Sequence, residues 1–441
     1  MKVMKAAGFA LPGLAAVMSV GLLTAAETPG ERFWPQWRGP EASGVSKHAD
    51  PPLEWSETRN IRWKVEIPGR GSASPVVWGD RLYLLTAIPA GASIEDSHAP
   101  RGGKSKEPHR YVVYAIDRRT GRIVWERTAN EAVPNENSQP NNSWASGSAV
   151  TDGEVVVAFF ESQGLYVYDM EGKLLWQKDL GKKTMRNEFG EGTTPALSGN
   201  HIVIVRDHRG TSFIVALDKR TGAELWRVER KEVDSWATPL VVEHAGRAQV
   251  VTSGQNRLRS YDLATGQLIW DSEGVTMNPI PSPVAADGLV FVTSGYQGNN
   301  LKAIRLADAR GDISKSDAIV WTLDADTPYV PSPLLYDGIL YLIKTNSPIL
   351  SAFDAKTGTP HFRNQRLDGV AEVYSSPVGA AGRVYITGRD GTTLVIKRDQ
   401  RFEVLAKNTL SDGFDASPAL VDGDMYMRGY KYLYDIATPS R

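Results

Sequence analysis

Residues 194–227 read TPALSGNHIVIVRDHRGTSFIVALDKRTGAELWR. Two short apolar runs meet at Gly199-Asn200, a dipeptide that supplies positive φ and joins antiparallel strands tightly. A second pair of runs, IVALD and ELWR, turns around Arg220-Thr221-Gly222. The stretch is therefore two hairpins in succession, four antiparallel strands with almost no helix signal. The same phrase is written eight times between Ser74 and Asp435, with anchors at Pro75, Ala149, Pro195, Pro239, Pro283, Pro333, Pro377 and Pro418. Successive spacings are 74, 46, 44, 44, 50, 44 and 41 residues. A period in the forties built from four-stranded units predicts an all-β chain, a β-propeller with one blade per copy.

A tryptophan recurs in the fourth strand five or six residues after the turn, at Trp125, Trp176, Trp226, Trp270 and, after an insertion, Trp321. One large ring per blade at a fixed place predicts blade-to-blade packing rather than an aromatic binding ladder, because a buried Trp covers roughly 150–250 Å². Phe362 and Leu405 stand there in the sixth and seventh copies, which predicts weaker packing. The eighth copy, from Ala416, supplies only three strands, and the segment NIRWKVEI at 60–67 supplies a fourth, with Trp63 in the packing position. Eight blades are expected, the last shared between the two ends of the chain, which removes exposed sheet edges.

Charge and composition narrow the function classes. The chain of 441 residues carries 50 basic and 51 acidic side chains, a formal charge of -1, and no basic block, so nucleic acid is not an expected partner. It contains no cysteine, which excludes disulfides, thiolate zinc sites and a cysteine nucleophile. Lys2 and Lys5 precede an apolar stretch at 6–23 and the small residues Ala25 and Ala26, the pattern of a secretory signal cleaved near Ala26. An uncleaved anchor is the rival reading, and Pro12-Gly13 in the middle of the stretch favours cleavage. The expectation is a periplasmic or secreted monomer: a signal peptide at 1–26, an extended Pro-, Gly- and Trp-rich strap at 27–59 with a free recognition arm as its alternative, and one propeller at 60–441.

The hairpin turns are short and repetitive and belong on one face; the lead-ins to each first strand and the links between hairpins vary and belong on the other, where scaffold-mounted loops carry binding groups. They bring Trp144, Trp236, Tyr296, Tyr329 and Tyr374 toward one mouth, with Arg206, Asp207, Gln255, Asn256, Lys344, Arg389, Asp415 and Arg428 as candidate ligand- or partner-binding residues, and Phe189, Asp390 and Phe414 beside them. The competing expectation is that these groups satisfy one another and the open strand ends. The long first link at 86–110 holds Glu95, Asp96, His98, Arg101, Lys104, Lys106 and His109 and reads as a mobile surface loop, either a lid over the mouth or solvated chain. No catalytic or metal residues emerge. The seven histidines lack metal-ligand spacing, no GxSxG or GxxxxGK[ST] appears, and Glu188 and Glu191 in a Gly-rich loop are weak grounds for acid–base work.

With FIVALDKRTGAELWR at Phe213 and RSYDLATGQLIWD at Arg259 in view, the chain resembles the pyrroloquinoline-quinone-like (PQQ-like) propeller superfamily over residues 60–436. Its tryptophan-docking motif is matched by Ala115, Asp117, Thr120, Gly121 and Trp125, and by Ala216, Asp218, Thr221, Gly222 and Trp226. In size and plainness the chain is similar to the BamB type, which implies a cofactor-free, non-enzymatic scaffold that binds an envelope protein or polymer through its variable face. It departs in having no lipobox cysteine. The quinoprotein branch implies the alternative, a PQQ- and calcium-dependent dehydrogenase of alcohols or sugars. There Trp144 or Trp236 would stack on the quinone, Arg206 or Arg389 would neutralise its carboxylates, and Asp207, Asp390 or Asp415 would act as base or calcium ligand. Carbohydrate binding on the aromatic mouth is a third reading.

Overall fold

The computed structural model describes residues 29–100, 103 and 105–438, with Met1 and Met4; the expected leader otherwise lies outside the described residues, as do Arg101 and Lys104 of the first link. Eight sheets each contain four antiparallel strands, which in seven of them follow one another in the chain. We number them as blades 1 to 8, at 76–132, 150–178, 196–230, 240–273, 284–323, 334–366, 378–409 and 419–437. Blade 8 takes its outermost strand from the other end of the chain. Ile61–Glu66 pairs antiparallel with Tyr432–Ala437, with Trp63 opposite Asp435.

The core is a ring of wedges. Apolar clusters join neighbouring blades, as where Val157 and Phe159 of blade 2 meet Ile202 and Val215 of blade 3, or Phe291 of blade 5 meets Leu340 and Phe353 of blade 6, and the largest spans blades 7, 8 and 1. A middle strand is covered on both faces, so Val155–Phe159 and Ile339–Ile343 are buried throughout instead of alternating. Five indole N–H groups cross these interfaces: Trp63 donates to the Arg118 carbonyl at 3.0 Å, Trp125 to Met170 at 3.1 Å, Trp176 to Lys219 at 2.9 Å, Trp226 to Leu263 at 2.8 Å and Trp321 to Ala355 at 3.0 Å. Each acceptor follows the aspartate that opens the next blade's turn. The turn glycine lies flat on the ring, and a Cβ on Gly222 would fall 2.6 Å from Trp176.

Trp270 differs. It is wholly buried and donates to Gln249 of its own blade at 3.2 Å. The insertion in blade 5 folds over it, with Gly311–Asp312 adding a parallel fifth strand outside blade 4 and Ala309, Ile313 and Ala318 covering the ring. This accounts for the 50-residue spacing. The 74-residue spacing arises from blade 1, where the long link between Pro89 and His109 adds to strands Arg81–Pro89, His109–Asp117 and Ile123–Ala132 that run nine to ten residues.

A belt of hydrogen bonds closes the ring at its axis. Each blade begins with a Ser or Thr whose backbone N–H donates to the hydroxyl of the equivalent residue in the next blade. The series runs Ser74 to Ser148 (3.0 Å), to Thr194 (3.0 Å), to Thr238 (3.4 Å), to Ser282 (2.8 Å), to Ser332 (2.9 Å), to Ser376 (2.9 Å), to Ser417 (2.9 Å) and back to Ser74 (2.9 Å). These are the small residues that open every copy of the repeat.

Below the belt the segment after Phe33 threads the channel. Trp34 pairs with Val77 of blade 1 through N–H···O bonds of 3.1 and 2.8 Å, and the Pro35 carbonyl accepts from Thr151 of blade 2. Across the axis Val45–Ser46 runs parallel to Gly379 and Ala380 of blade 7. Between these anchors the buried Arg38 guanidinium reaches the carbonyls of Pro333 and Pro377, each at 2.7 Å. Gly44, at φ +85°, is required there, since a Cβ would lie 2.3 Å from Nη2 of Arg38. The segment leaves between blades 7 and 8, where Asn408 accepts from the Trp55 N–H and donates to the Leu53 carbonyl.

The first half of the long link in blade 1 makes specific contacts with the body of the propeller. Ser93 caps the short helix Ile94–Ser97, Ser97 accepts from the Gly69 N–H at 2.9 Å, and buried His98 meets the Ile67 carbonyl at 2.9 Å. These contacts fasten the link to the junction of blades 8 and 1.

Candidate functional site

On the lead-in face the belt forms the neck of a central pit of about 360 Å³. The strap's Trp37 closes its floor. Six belt residues, Ser74, Ser148, Thr194, Thr238, Ser376 and Ser417, line the neck, and Gln139, Asn141, Asn142, Phe189, Glu191, Trp236, Ile280, Tyr329, Val330, Tyr374 and Asp415 line the walls. Because every blade contributes its lead-in at the same height, side chains far apart in sequence converge here.

Of the candidate residues, the pit gathers Trp236, Tyr329, Tyr374 and Asp415. The Trp236 indole N–H donates to the Gly190 carbonyl at 2.8 Å. Tyr329 stacks on Tyr296, which stands at the rim, at 4.8 Å between centroids. The Tyr374 hydroxyl accepts from Asn141 at 2.8 Å, and the Arg389 guanidinium sits 4.2 Å from its ring centre. Arg389 also grips Asp415 at 2.7 Å and Glu372 at 3.0 Å.

The others lie elsewhere. Arg206 is buried between blades 2 and 3, where it and Lys183 flank Glu161 at 3.4 and 3.1 Å. Asp207 is buried and held by two bonds of 2.8 Å from Arg230, which also donates to Thr252 and Tyr261 of blade 4. Arg428 is buried at the junction of blades 8 and 1, donating to the carbonyls of Ile67 and Gly69. Trp144 turns below the rim, its N–H on the Glu136 carbonyl and its ring edge-on to His109. Lys344 pairs with Asp326 at 2.8 Å, Asp390 accepts from the Thr392 hydroxyl, and Phe414 is packed against Tyr434 in the core. Gln255 is half-buried and Asn256 is exposed, its amide donating to the Lys231 carbonyl, and neither lines the pit. Gln139, Asn142, Trp37 and the belt itself were not among the candidates. The Ser/Thr opening each repeat was the available signal for the belt, and the aromatic density of WPQWRGP at 34–40 was that for Trp37.

Two carboxylates reach the pit, and the protein occupies both. Burial, reinforced by the charge of Glu161, lifts Glu191 above the ordinary range, while Ser162 donates to it from its backbone N–H at 2.8 Å and its hydroxyl at 2.5 Å. Burial likewise lifts Asp415 despite the pull of Arg389. Calcium takes six to eight oxygen ligands, and among the described residues no three His, Asp or Glu side chains converge on a point. The Arg389 guanidinium beside the pit spends its donors on Asp415 and Glu372 and its face on Tyr374.

Comparison with known proteins gives the family. The family model described as "Outer membrane protein assembly factor BamB" matches residues 53–210 and 109–359. The chain belongs to that family. A curated BamB from Francisella salina is 30% identical over 104 residues, 24% of this chain and 18% of the relative, so the match spans under a fifth of that protein's length. The crystal structure of BamB from Moraxella catarrhalis superposes with a TM-score of 0.55 at 15% identity, covering 80% of this chain and all of that one. A quinohemoprotein alcohol dehydrogenase from Comamonas testosteroni gives 0.64 at 12% identity, covering 93% and 81%. At such identities the two structures share the fold with this BamB-family chain and say nothing more. Among the described residues no helix is long and apolar enough to cross a membrane.

Proposed function

We propose that this chain is a non-enzymatic scaffold of the cell envelope, periplasmic or secreted, that captures a protein partner on its lead-in face, as the name of its family suggests. One observation carries the reading: the charged groups around the mouth are spent on one another, as in Arg389 with Asp415 and Glu372 and Lys344 with Asp326. The result is a rigid, self-satisfied surface rather than a reactive centre. Rigid loops on a closed scaffold bind with little ordering cost. The sequence-derived choice of Arg206 and Arg428 as contact residues gives way to exposed positions, since both are buried.

The test is site-specific photocrosslinking in the native envelope from Asn256, Gln297 and Glu372 on the lead-in face and from Glu154 and Lys356 on the turn face, all exposed. A discrete crosslink to an envelope protein from the first set and not from the second is expected. Equal crosslinking from both faces, or none from the lead-in face, overturns the proposal.

A further inference from the structure

The pit holds more recognition chemistry than capture of a partner on the surrounding face requires. Its aromatic surfaces are fixed before anything binds: Trp236 by its bond to Gly190, Tyr374 by Asn141 and Arg389, and Tyr329 by Tyr296. Trp37 presents a further ring from the floor. Between floor and walls lies the hydroxyl belt. Each belt oxygen already accepts a backbone N–H, and among the described residues none of the eight hydroxyls finds an acceptor for its own proton. Six of these donors line the pit, together with the Gln139 amide, which makes no side-chain hydrogen bond within the described protein.

Charge decides what fits. A cationic ligand would need a free carboxylate, but Glu191 is held by Ser162 and Asp415 by Arg389. An anionic ligand would need a free guanidinium or ammonium, and among the described residues no Lys or Arg side chain lines the pit. A wholly apolar ligand would leave the hydroxyl and amide groups dehydrated and unpaired, which is costly. What remains is a neutral molecule with apolar faces and a perimeter of donors and acceptors. We propose that the pit binds the end of a neutral saccharide. The C–H faces of a pyranose ring lie against Trp236, Tyr374 or Trp37, and its hydroxyls exchange hydrogen bonds with the belt and Gln139. The volume of about 360 Å³ sits at the lower end of the range of about 300–1,000 Å³ for small-ligand sites, which suits a chain end rather than a long internal stretch. The pit is blind because the strap blocks the channel beneath it, so a polymer enters by its terminus and does not pass through. This site does not depend on a protein partner, which contacts the surrounding face.

The intact protein is titrated with four neutral trisaccharides, maltotriose, cellotriose, xylotriose and triacetylchitotriose, by calorimetry and intrinsic Trp fluorescence. Charged counterparts, trigalacturonic acid and deacetylated chitotriose, are run in parallel. At least one neutral sugar is expected to bind saturably with Kd of about 1 mM or tighter. Tyr374→Ala and Gln139→Ala should each weaken it, the former at least roughly tenfold, while Asn256→Ala, outside the pit, leaves it unchanged. Gln139 makes no side-chain bond within the described protein, so its variant tests the site without disturbing the fold. Absence of saturable binding by all four neutral sugars, equal affinity in both pit variants, or preference for a charged counterpart overturns the proposal.

Discussion

Asp207 and Arg230 show how far a side chain's role depends on which way a strand end faces. Both are wholly buried, joined by two bonds of 2.8 Å, and Arg230 extends the contact to Thr252 and Tyr261 of the next blade. Removing one partner strands a buried charge, which costs about 3–5 kcal/mol. Arg230→Met is therefore expected to lower the denaturation midpoint strongly, while Arg230→Met with Asp207→Leu recovers much of the loss; chemical denaturation of the three proteins measures it. The motif RDHRG read correctly as the link between hairpins of blade 3. Nothing in it distinguishes a residue aimed at the axis from one aimed into the wedge beside the next blade, so Arg206 and Asp207 seemed candidates for the mouth. Trp236, Tyr374 and Asp415 lie within the lead-ins themselves, which the topology delivers to the axis, and their place was legible.

At the scale of elements, the repeat specified every blade and the shared closure, because glycine turns and buried apolar runs are local signals. The strap followed another logic. Its segment WPQWRGP has no period and pairs with edges supplied by distant blades, so its passage through the channel could not be read from its own residues. Arg38 is its central pin, fully buried with no carboxylate partner among the described residues, and burial lowers its guanidinium to about 9. Arg38→Ala would leave the Pro333 and Pro377 carbonyls unpaired and open a cavity, an expected cost of about 2–4 kcal/mol. Thermal denaturation checks it, and an unchanged melting temperature would mean that the edge pairings of Trp34 and Val45 hold the strap alone. The insertion at 306–318 was legible only as extra length, since its target, the outer edge of blade 4, belongs to another copy.

For the molecule as a whole, acidic groups set the response to pH. Asp435, where the two ends of the chain pair, is pushed up to about 7 by burial and by the charge of Asp424, with Arg62 and Arg118 pulling the other way. Glu136 is pushed up to about 7 by burial and by Glu191, Glu188 and Asp234, against the Met185 N–H. A carboxyl raised in the fold keeps its proton where the unfolded chain has released it. Its stabilising contribution is therefore complete below the unfolded value near 4 and is lost as pH rises to about 7. Melting temperature should decline across that interval and level off above it, with a shallower slope in Asp435→Asn; a profile of equal slope in both proteins would count against the assignment.

The shared eighth blade also imposes an order of events. Strand Ile61–Glu66 cannot pair until Tyr432–Ala437 exists, some 370 residues later. At about 5–20 residues per second of synthesis, that is a wait of roughly 20–70 s. For most of it Trp55 and Trp63 lack Tyr385 of blade 7 and Tyr426 of blade 8, against which their rings pack. The early part of the chain thus needs protection from neighbouring copies until its last strand arrives, and closure becomes the slow, late step that commits the ring.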